Sequence, residues 1–563
     1  MRTKTLIEYG VYDVTAKEDS VPITTDKQDF VDVLDLKRDD IQEIKYSTLE
    51  KNYFVLDGNS KNMNGTEKDM GFWTKSMSDS SGNFVTPPTL TINFTNETHS
   101  SLGLTLRFSK LDYCTHLKIQ YYNSSNVLLS EKEFYPDNYE FFCEDTVAGY
   151  KKIVITFYST NNPYRYLRLY QIDYGKIIQF TGEMLTNANL VEELNLLSDK
   201  LSINILDFTI YSQDDNFNIL NPKGMYSALQ ERQQLRAYKV ANDAKIEMGT
   251  FYLDTWKNKK SKTMNFSAID IIGLLDKTSF TGGMYNSTFE AVIEEIMESA
   301  GFTNTDYEIQ EELKSIPVIG YIPVCTHREA LQQILFTSGA VANSSRSNKL
   351  KIYTITESDQ PNQISKSKIL KGTKEIEQGE LVTGVSITSH NYTKSNEEVF
   401  LFDGTLESGT HQIVFSEPVY NLSCTNGSIT SSNVNYAIIQ VNSTSNVILK
   451  GYKYKDNMQT FIAEVEGLNP NAKRNVLRIE SDYLINSDNA YEIAQRVLNY
   501  YQKTYITNFD FILDDESTGN NIVVEGEFNN ELNGYVTKLD IDMTGGYIAG
   551  TEVVAKVREV SNG

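Results

Sequence analysis

The sequence predicts a mainly β, multidomain protein. Three observations lead there: period-2 alternation recurs along the chain, 563 residues exceed what one core holds, and 35 Tyr against two Trp suit sheet surfaces bearing amphipathic rings. Apolar residues make up 40% of the chain, enough for ordinary globular packing. On length alone, on the order of three to five domains are expected.

Residues 1 to about 56 hold short strands, including Ile41 to Tyr46, and an acidic stretch from Asp32 to Asp40. They are too few for a complete domain. Next come strand patterns at Leu90–Phe94, Leu102–Phe108, Leu117–Tyr122, Val127–Ser130 and Lys152–Tyr158, closing with YRYLRLYQIDYG at 164–175. In Leu201–Asp276, Ile203 and Ile205, then Leu206, Phe208 and Ile210, alternate with polar residues. The phase slips once, between Ile205 and Leu206, so a bulge is expected there if both runs face one core. Asn221-Pro222-Lys223-Gly224 reads as a turn, because Pro presets φ and Gly tolerates positive φ. Leu235–Val240, Gly249–Trp256 and Thr263–Ile269 then read as strands.

From 284 to 372 the period changes. Ser287 and Glu290 have capping-box spacing ahead of Phe289, Val292, Ile293, Ile296, Met297 and Ala300, which predicts an amphipathic helix stopping at Gly301. Thr326 and Glu329 repeat that spacing before Ala330, Leu331, Ile334 and Leu335, and a strand follows at Lys349–Ile355. This is a small α/β domain. From 373 the strand period returns at Val385 and Ile387, with a Ser/Asn-rich β excursion over about 400–455. Ala490, Ile493, Ala494, Val497, Leu498 and Tyr501 share one helical face. The last strands fall near Phe509–Leu513, Asn521–Glu525, Tyr535–Met543 and Glu552–Glu559. Both ends of the chain read as split β domains, without a residue-level repeat.

No catalytic pattern stands out. His99, His116, His327, His390 and His411 lie in no metal-ligand spacing, and no P-loop, GxGxxG or GxSxG occurs. His327, one residue after a helix cap, reads as solvated or tuned by the helix dipole. Cys325 is too close in sequence to face it as a nucleophile pair. Gly282-Gly283 and Gly545-Gly546 suit turns better than phosphate cradles. Glu290, Glu294, Glu295 and Glu298 make a wet helix face. Without a CxxC pair, Cys114, Cys143, Cys325 and Cys424 do not form a disulfide scaffold, and Cys114 and Cys143 read as buried free thiols. No cofactor or metal is expected. Neither a signal peptide nor an 18-residue apolar run is present, so synthesis and assembly in cytoplasm are expected.

The net charge is −23. That opposes phosphate binding, which rests on Lys and Arg. The charge serves solubility, or in part lines a conduit through which DNA slides without sticking.

The runs FTIYSQDDNFNILNPKGMYSALQ (208–230), MGTFYLDTWKN (248–258) and YVTKLDIDMTGGYIAGTEVVAKV (535–557) resemble the hub proteins of phage tails in Gram-positive hosts and of tail-like bacteriocins. The resemblance implies two tail-tube-like antiparallel β-barrel domains, the first from 1–56 with 176–283 and the second from 373–563. It implies a structural, non-enzymatic homotrimer in the virion tail, adapting a hexameric tube to a trimeric spike. Its partners would be the tail tube, distal tail or baseplate proteins, the tail spike and the tape measure protein, with DNA only in transit. The inserted 57–175 segment resembles a discoidin-like, galactose-binding-like jelly roll, with the Trp73 region ahead of its strands and Ile172-Asp173-Tyr174-Gly175 at its close. Such domains bind glycans through loop aromatics, and Phe72, Trp73, Tyr135 and Tyr139 are the candidates. Burial of Trp73 in the sandwich is the ordinary alternative. A host-envelope lectin or tail-associated cell-wall hydrolase is the competing class; the end of the sequence at Gly563, soon after the last strands, speaks against an added catalytic domain.

Overall fold

The computed structural model describes residues 3–12, 14–38, 46–48, 50–51, 53, 71–212, 233–241, 244–260, 262–358, 360–468, 471, 473–480, 482–526 and 530–559. The Asn221–Gly224 turn and most of the Ile41–Tyr46 strand expected from the sequence lie outside them. The fold is mainly β and multidomain, and the chain divides into two compact units: Glu8–Gln179, and Met1–Ile7 with Phe180–Gly563.

The Glu8–Gln179 unit is a two-sheet sandwich. One sheet runs Phe72–Trp73, Arg168–Asp173, His99–Phe108, Glu140–Tyr150; the other runs Ser20–Ile23, Thr89–Phe94, Lys152–Thr160, Cys114–Tyr122, Leu128–Phe134. Strict alternation puts Leu90 and Ile92, Leu117 and Ile119, and Ile153, Ile155 and Phe157 into one shared core with Leu104, Leu106 and Phe108. Residues ahead of 57 also belong to this unit. Ser20–Ile23 pairs with Thr89–Phe94, and the short helix Val33–Lys37 buries Val33 and Leu36. The unit therefore begins well before the insertion point expected from the sequence. Glu140–Tyr150 is a strand that pattern reading missed, because Glu140, Glu144, Asp145 and two register shifts against its neighbour break its alternation.

The larger unit is organised on a 13-stranded sheet in which Thr3–Tyr12 lies next to the end strand Gly175–Thr181. Gln234–Ala241, Ala244–Lys260, Thr263–Ile269, Ile205–Tyr211 and Leu185–Glu193 follow in order, and Leu185–Glu193 pairs directly with Asn530–Asp542. Beyond that seam come Ile548–Glu559, Tyr505–Ile512 and Glu375–Gln378. Strands expected in two barrels thus share one hydrogen-bonded sheet. Its apolar face carries Phe208 and Phe266, stacked with centroids 4.8 Å apart, beside Phe180.

The expected bulge at Ile205–Leu206 is absent. Both residues pair in unbroken register with Ala268–Ile269 and Leu190–Val191, and the strand begins at Ile205. Ile203 precedes it and packs instead into the core of helices Ile271–Leu275 and His327–Ser338, so the slip marks a change of core. The first predicted cap also moves. Thr288, one residue after Ser287, is the N-cap of Phe289–Ser299 and accepts from Ala291 N. The second capping box, Thr326 with Glu329, forms as expected at the start of His327–Ser338.

These helices pack with the antiparallel pair Gly283–Thr288/Pro317–Ile322 and a three-stranded sheet into one core. Ala490–Tyr501 buries Ile493, Ala494, Val497 and Leu498 against the sheet of Gly384–Ser389. The excursion forms two three-stranded sheets over a small core that includes Phe415, Ile439 and Leu449. All four cysteines are free, with Cys114 and Cys143 buried.

Candidate functional site

The four aromatics proposed for glycan contact do not converge. Phe72 and Trp73 sit on one short strand paired with Arg168–Leu169, and both are buried within the sandwich unit. Phe72 stacks on Phe157, while the Arg168 guanidinium lies 4.1 Å from the Trp73 ring centroid. Tyr139 is half-buried against the same core. Tyr135 alone is open, at 64% exposure, just after the end strand of the other sheet.

Tyr135 belongs to a surface cluster that its sequence position did not reveal. Its ring is 4.7 Å from His116 and nearly parallel to it, and His116 also stacks at 4.5 Å on Tyr158. Two rings cannot stack on one face of an imidazole, so His116 is sandwiched and Tyr135 keeps an outer face. Glu133 accepts from the Tyr135 hydroxyl at 3.0 Å and contacts His116 Nε2 at 3.2 Å. These two bonds, Tyr135 first, hold its carboxyl below the usual range. His116 and Tyr158 come from adjacent strands paired over a register shift, which sequence spacing alone does not show.

A second candidate is the polar face of the long sheet. Asn189 pairs with Asp207 on one side and Asp542 on the other, and its amide donates to Asp540 at 2.8 Å. Asp510 and Asp540 both flank Gly550, where an added Cβ would meet Asp510 Oδ1 at 3.2 Å. Glu193 and Glu552 face Lys538 nearby. Carboxylates from both halves of the chain therefore share one face across the seam.

A third candidate is an open groove of about 570 Å³ lined by residues 282–287, 419–422 and 432–434, with Glu295 beside them. Gly282 is required at its end: its φ is +62°, and a Cβ there would lie 2.1 Å from the Ile322 carbonyl oxygen. Asn435 seats the excursion by donating to Thr281 and Ile322 carbonyls at 2.8 and 3.0 Å and accepting from the Tyr321 hydroxyl at 2.7 Å.

Four further titratable groups sit in structural surroundings. His327, read as solvated from its place near a cap, is buried between Thr278 Oγ1 at 2.8 Å and Ser299 Oγ at 3.0 Å, and burial lowers its pKa. Burial pushes the Cys325 thiol up to about 12, far from a nucleophilic thiolate. Burial also raises Asp270 to about 6 despite hydrogen bonds from Ser344, Asn204 and Gly273, and raises Asp482 to about 7. Among the described residues no three His, Cys, Asp or Glu side chains group to hold a metal ion, and no helix is long and apolar enough to cross a membrane.

The features define a sheet-built protein with surface and groove candidates. No protein-family model and no curated protein matches the chain. Its structural neighbours include tail proteins, two of them from prophages, and a component of a type VI secretion system. The 43 kDa tail protein of prophage MuSo2 from Shewanella oneidensis aligns over 67% of this chain and 95% of its own, at 12% identity and TM-score 0.39. The tail protein from Neisseria meningitidis MC58 aligns over 67% and 93%, at 10% identity and TM-score 0.41. Prophage tail protein gp18 from Listeria monocytogenes EGD-e aligns over 67% and 91%, at 9% identity and TM-score 0.37. At these scores the likeness assigns no role to the chain.

Proposed function

We propose that this chain is a structural hub in the distal part of a phage tail or tail-like particle. Three copies form a pseudo-sixfold ring, each contributing Thr3–Tyr12 with the strands of 176–283 and those of 373–563, while the two-sheet sandwich is a decorating domain and 284–372 a small α/β layer. The ring joins a hexameric tube to a trimeric spike beside distal tail and tape measure proteins, and its role is mechanical rather than enzymatic. The observation that carries this reading is the seam of Leu185–Glu193 with Asn530–Asp542, which fuses both halves of the chain into one sheet with an acidic polar face. Turned inward, Asp207, Asp540, Asp542 and Asp510 repel a DNA backbone in transit. Symmetry makes the ring economical, because two tube-like parts in each of three chains would present six positions.

Electron cryo-microscopy of the assembled particle tests this. The chain is expected as three copies at the tail tip with that sheet face on the channel; a different stoichiometry, or the face turned to bulk solvent, refutes it. A second reading, host-glycan binding, is favoured by the outer ring face of Tyr135 beside Glu133. Full-length chain and its Tyr135→Ala variant on an array of bacterial surface glycans separate the two, since only a lectin loses a signal with the ring.

A further inference from the structure

Successive side chains of a strand point to opposite faces, so a cavity lying on one face touches every second residue. The groove of about 570 Å³ touches residues 282–287 and 419–422 consecutively. It therefore meets its walls edge-on, where the backbone is. Among the described residues, Gly283–Thr288 pairs as a strand only with Pro317–Ile322, and Val419–Thr425 only with Ser445–Asp456, while Val419 N donates to the Val434 carbonyl at 3.0 Å. An edge strand in an antiparallel pair turns about half of its N–H and C=O groups away from its partner. The groove thus lies between two strand edges of this kind.

Its ends and charge narrow the occupant. Asn433 Nδ2 donates to the Gly282 carbonyl at 2.9 Å and closes one end. Asn421, at φ +50°, lies where the register of Val419–Thr425 shifts between Tyr420 and Ser423, and a bulge there bends that edge. Glu295 is the one charged side chain in the lining, and Glu294 and Glu298 are exposed on the same helix. Apart from Glu295 the lining is uncharged: Met284, Val419, Leu422 and Val434 are apolar, and the rest is glycine backbone, amide, hydroxyl and Tyr.

We propose that this groove takes up an extended segment of another polypeptide of the tail, one that bears Lys or Arg and adds as a strand along these edges. Main-chain hydrogen bonds hold the segment, and the Glu295 side selects its charge. The inference rests on the tail reading above.

Hydrogen exchange of the purified full-length chain and of assembled particles tests it. In particles, the amides of 283–288 and 420–425 that point away from their present partner strands are expected to exchange at least ~10-fold more slowly, as newly paired strand amides do. Equal rates in particles that contain the chain overturn the proposal and leave the tail reading standing. A saccharide held by the side chains gives that same result. Particles lacking the chain overturn both. Glu295→Lys changes an exposed residue whose contact is the Tyr285 hydroxyl at 3.3 Å, so the variant is expected to fold and to lose the slowing. Undiminished slowing in that variant overturns the basic occupant.

Discussion

Replacing Glu50 by Ala removes the counter-charge of a guanidinium that has no water to turn to. The Arg168 and Glu50 side chains are 3% and 0% exposed, and the two are paired in the sandwich unit. The guanidinium also lies 4.7 Å from the Tyr53 ring centroid and 4.1 Å from that of Trp73. Glu50 further accepts from Tyr166 N at 2.8 Å and from the Thr48 hydroxyl at 2.5 Å. Leaving one member of a buried pair uncompensated costs about 3–5 kcal/mol, and the orphaned Tyr166 amide lies within that range rather than adding fully to it. With a urea m-value of ~2 kcal/mol/M, a loss of about 4 kcal/mol lowers the midpoint by about 2 M. Trp73 is the reporter, and Trp256→Phe silences the other Trp, which lies in the larger unit. Glu50→Leu with Arg168→Met, which removes both charges and keeps apolar volume, is expected to recover most of the loss. A Glu50→Ala shift under ~1 kcal/mol, or a double variant as unstable as the single one, refutes the argument.

Three further outcomes are expected. Asp482 has a raised folded pKa, so its contribution is fully present below the unfolded value of ~3.9 and is lost as pH rises through about 7; Asp482→Asn should flatten the fall in thermal midpoint across that window, and an unchanged slope counts against it. Asp19 has the opposite sign. Burial raises its pKa, but His99, Thr95, Asn96 and Glu97 donate to its carboxylate and hold it well below the usual range. Its stabilisation is present above ~3.9 and is lost as pH falls toward the folded value, so Asp19→Asn should raise the midpoint of acid unfolding. Thr326→Ala removes the hydroxyl that accepts from Glu329 N and should cost about 1 kcal/mol in chemical denaturation of the larger unit; no change would mean water replaces the cap.

Local patterns were legible and long-range ones were not. The alternation of Leu206, Phe208 and Ile210 and the helical spacing from Ala490 to Tyr501 appear in the structure as strand and helix, because each element buries one regular face. Ile203 misled because two cores meet at adjacent residues, and alternation does not say which core a side chain enters. Ser287 and Thr288 are both good caps, and local spacing alone does not choose between neighbours. For Trp73 the sequence leaves open a glycan-binding loop or burial in the sandwich, and the structure buries it, with Arg168 over its ring, a neighbour that nothing nearby in sequence announces. The seam at Leu185–Glu193 joins residues more than 300 positions apart, and no periodicity encodes such a pairing. The surface stack of Tyr135, His116 and Tyr158 depends on a register shift between paired strands, which sequence spacing does not encode either.

That distance has a consequence for the nascent chain. Lys538 bonds Glu193 across 345 residues, which at about 5–20 residues per second is a wait of very roughly 20–70 seconds on the ribosome. Until then the Leu185–Glu193 hairpin strand has paired with Ile205–Tyr211 but shows its other margin to every polypeptide nearby. A chaperone that shields that margin during synthesis would raise the yield of correctly folded protein more than one acting after release.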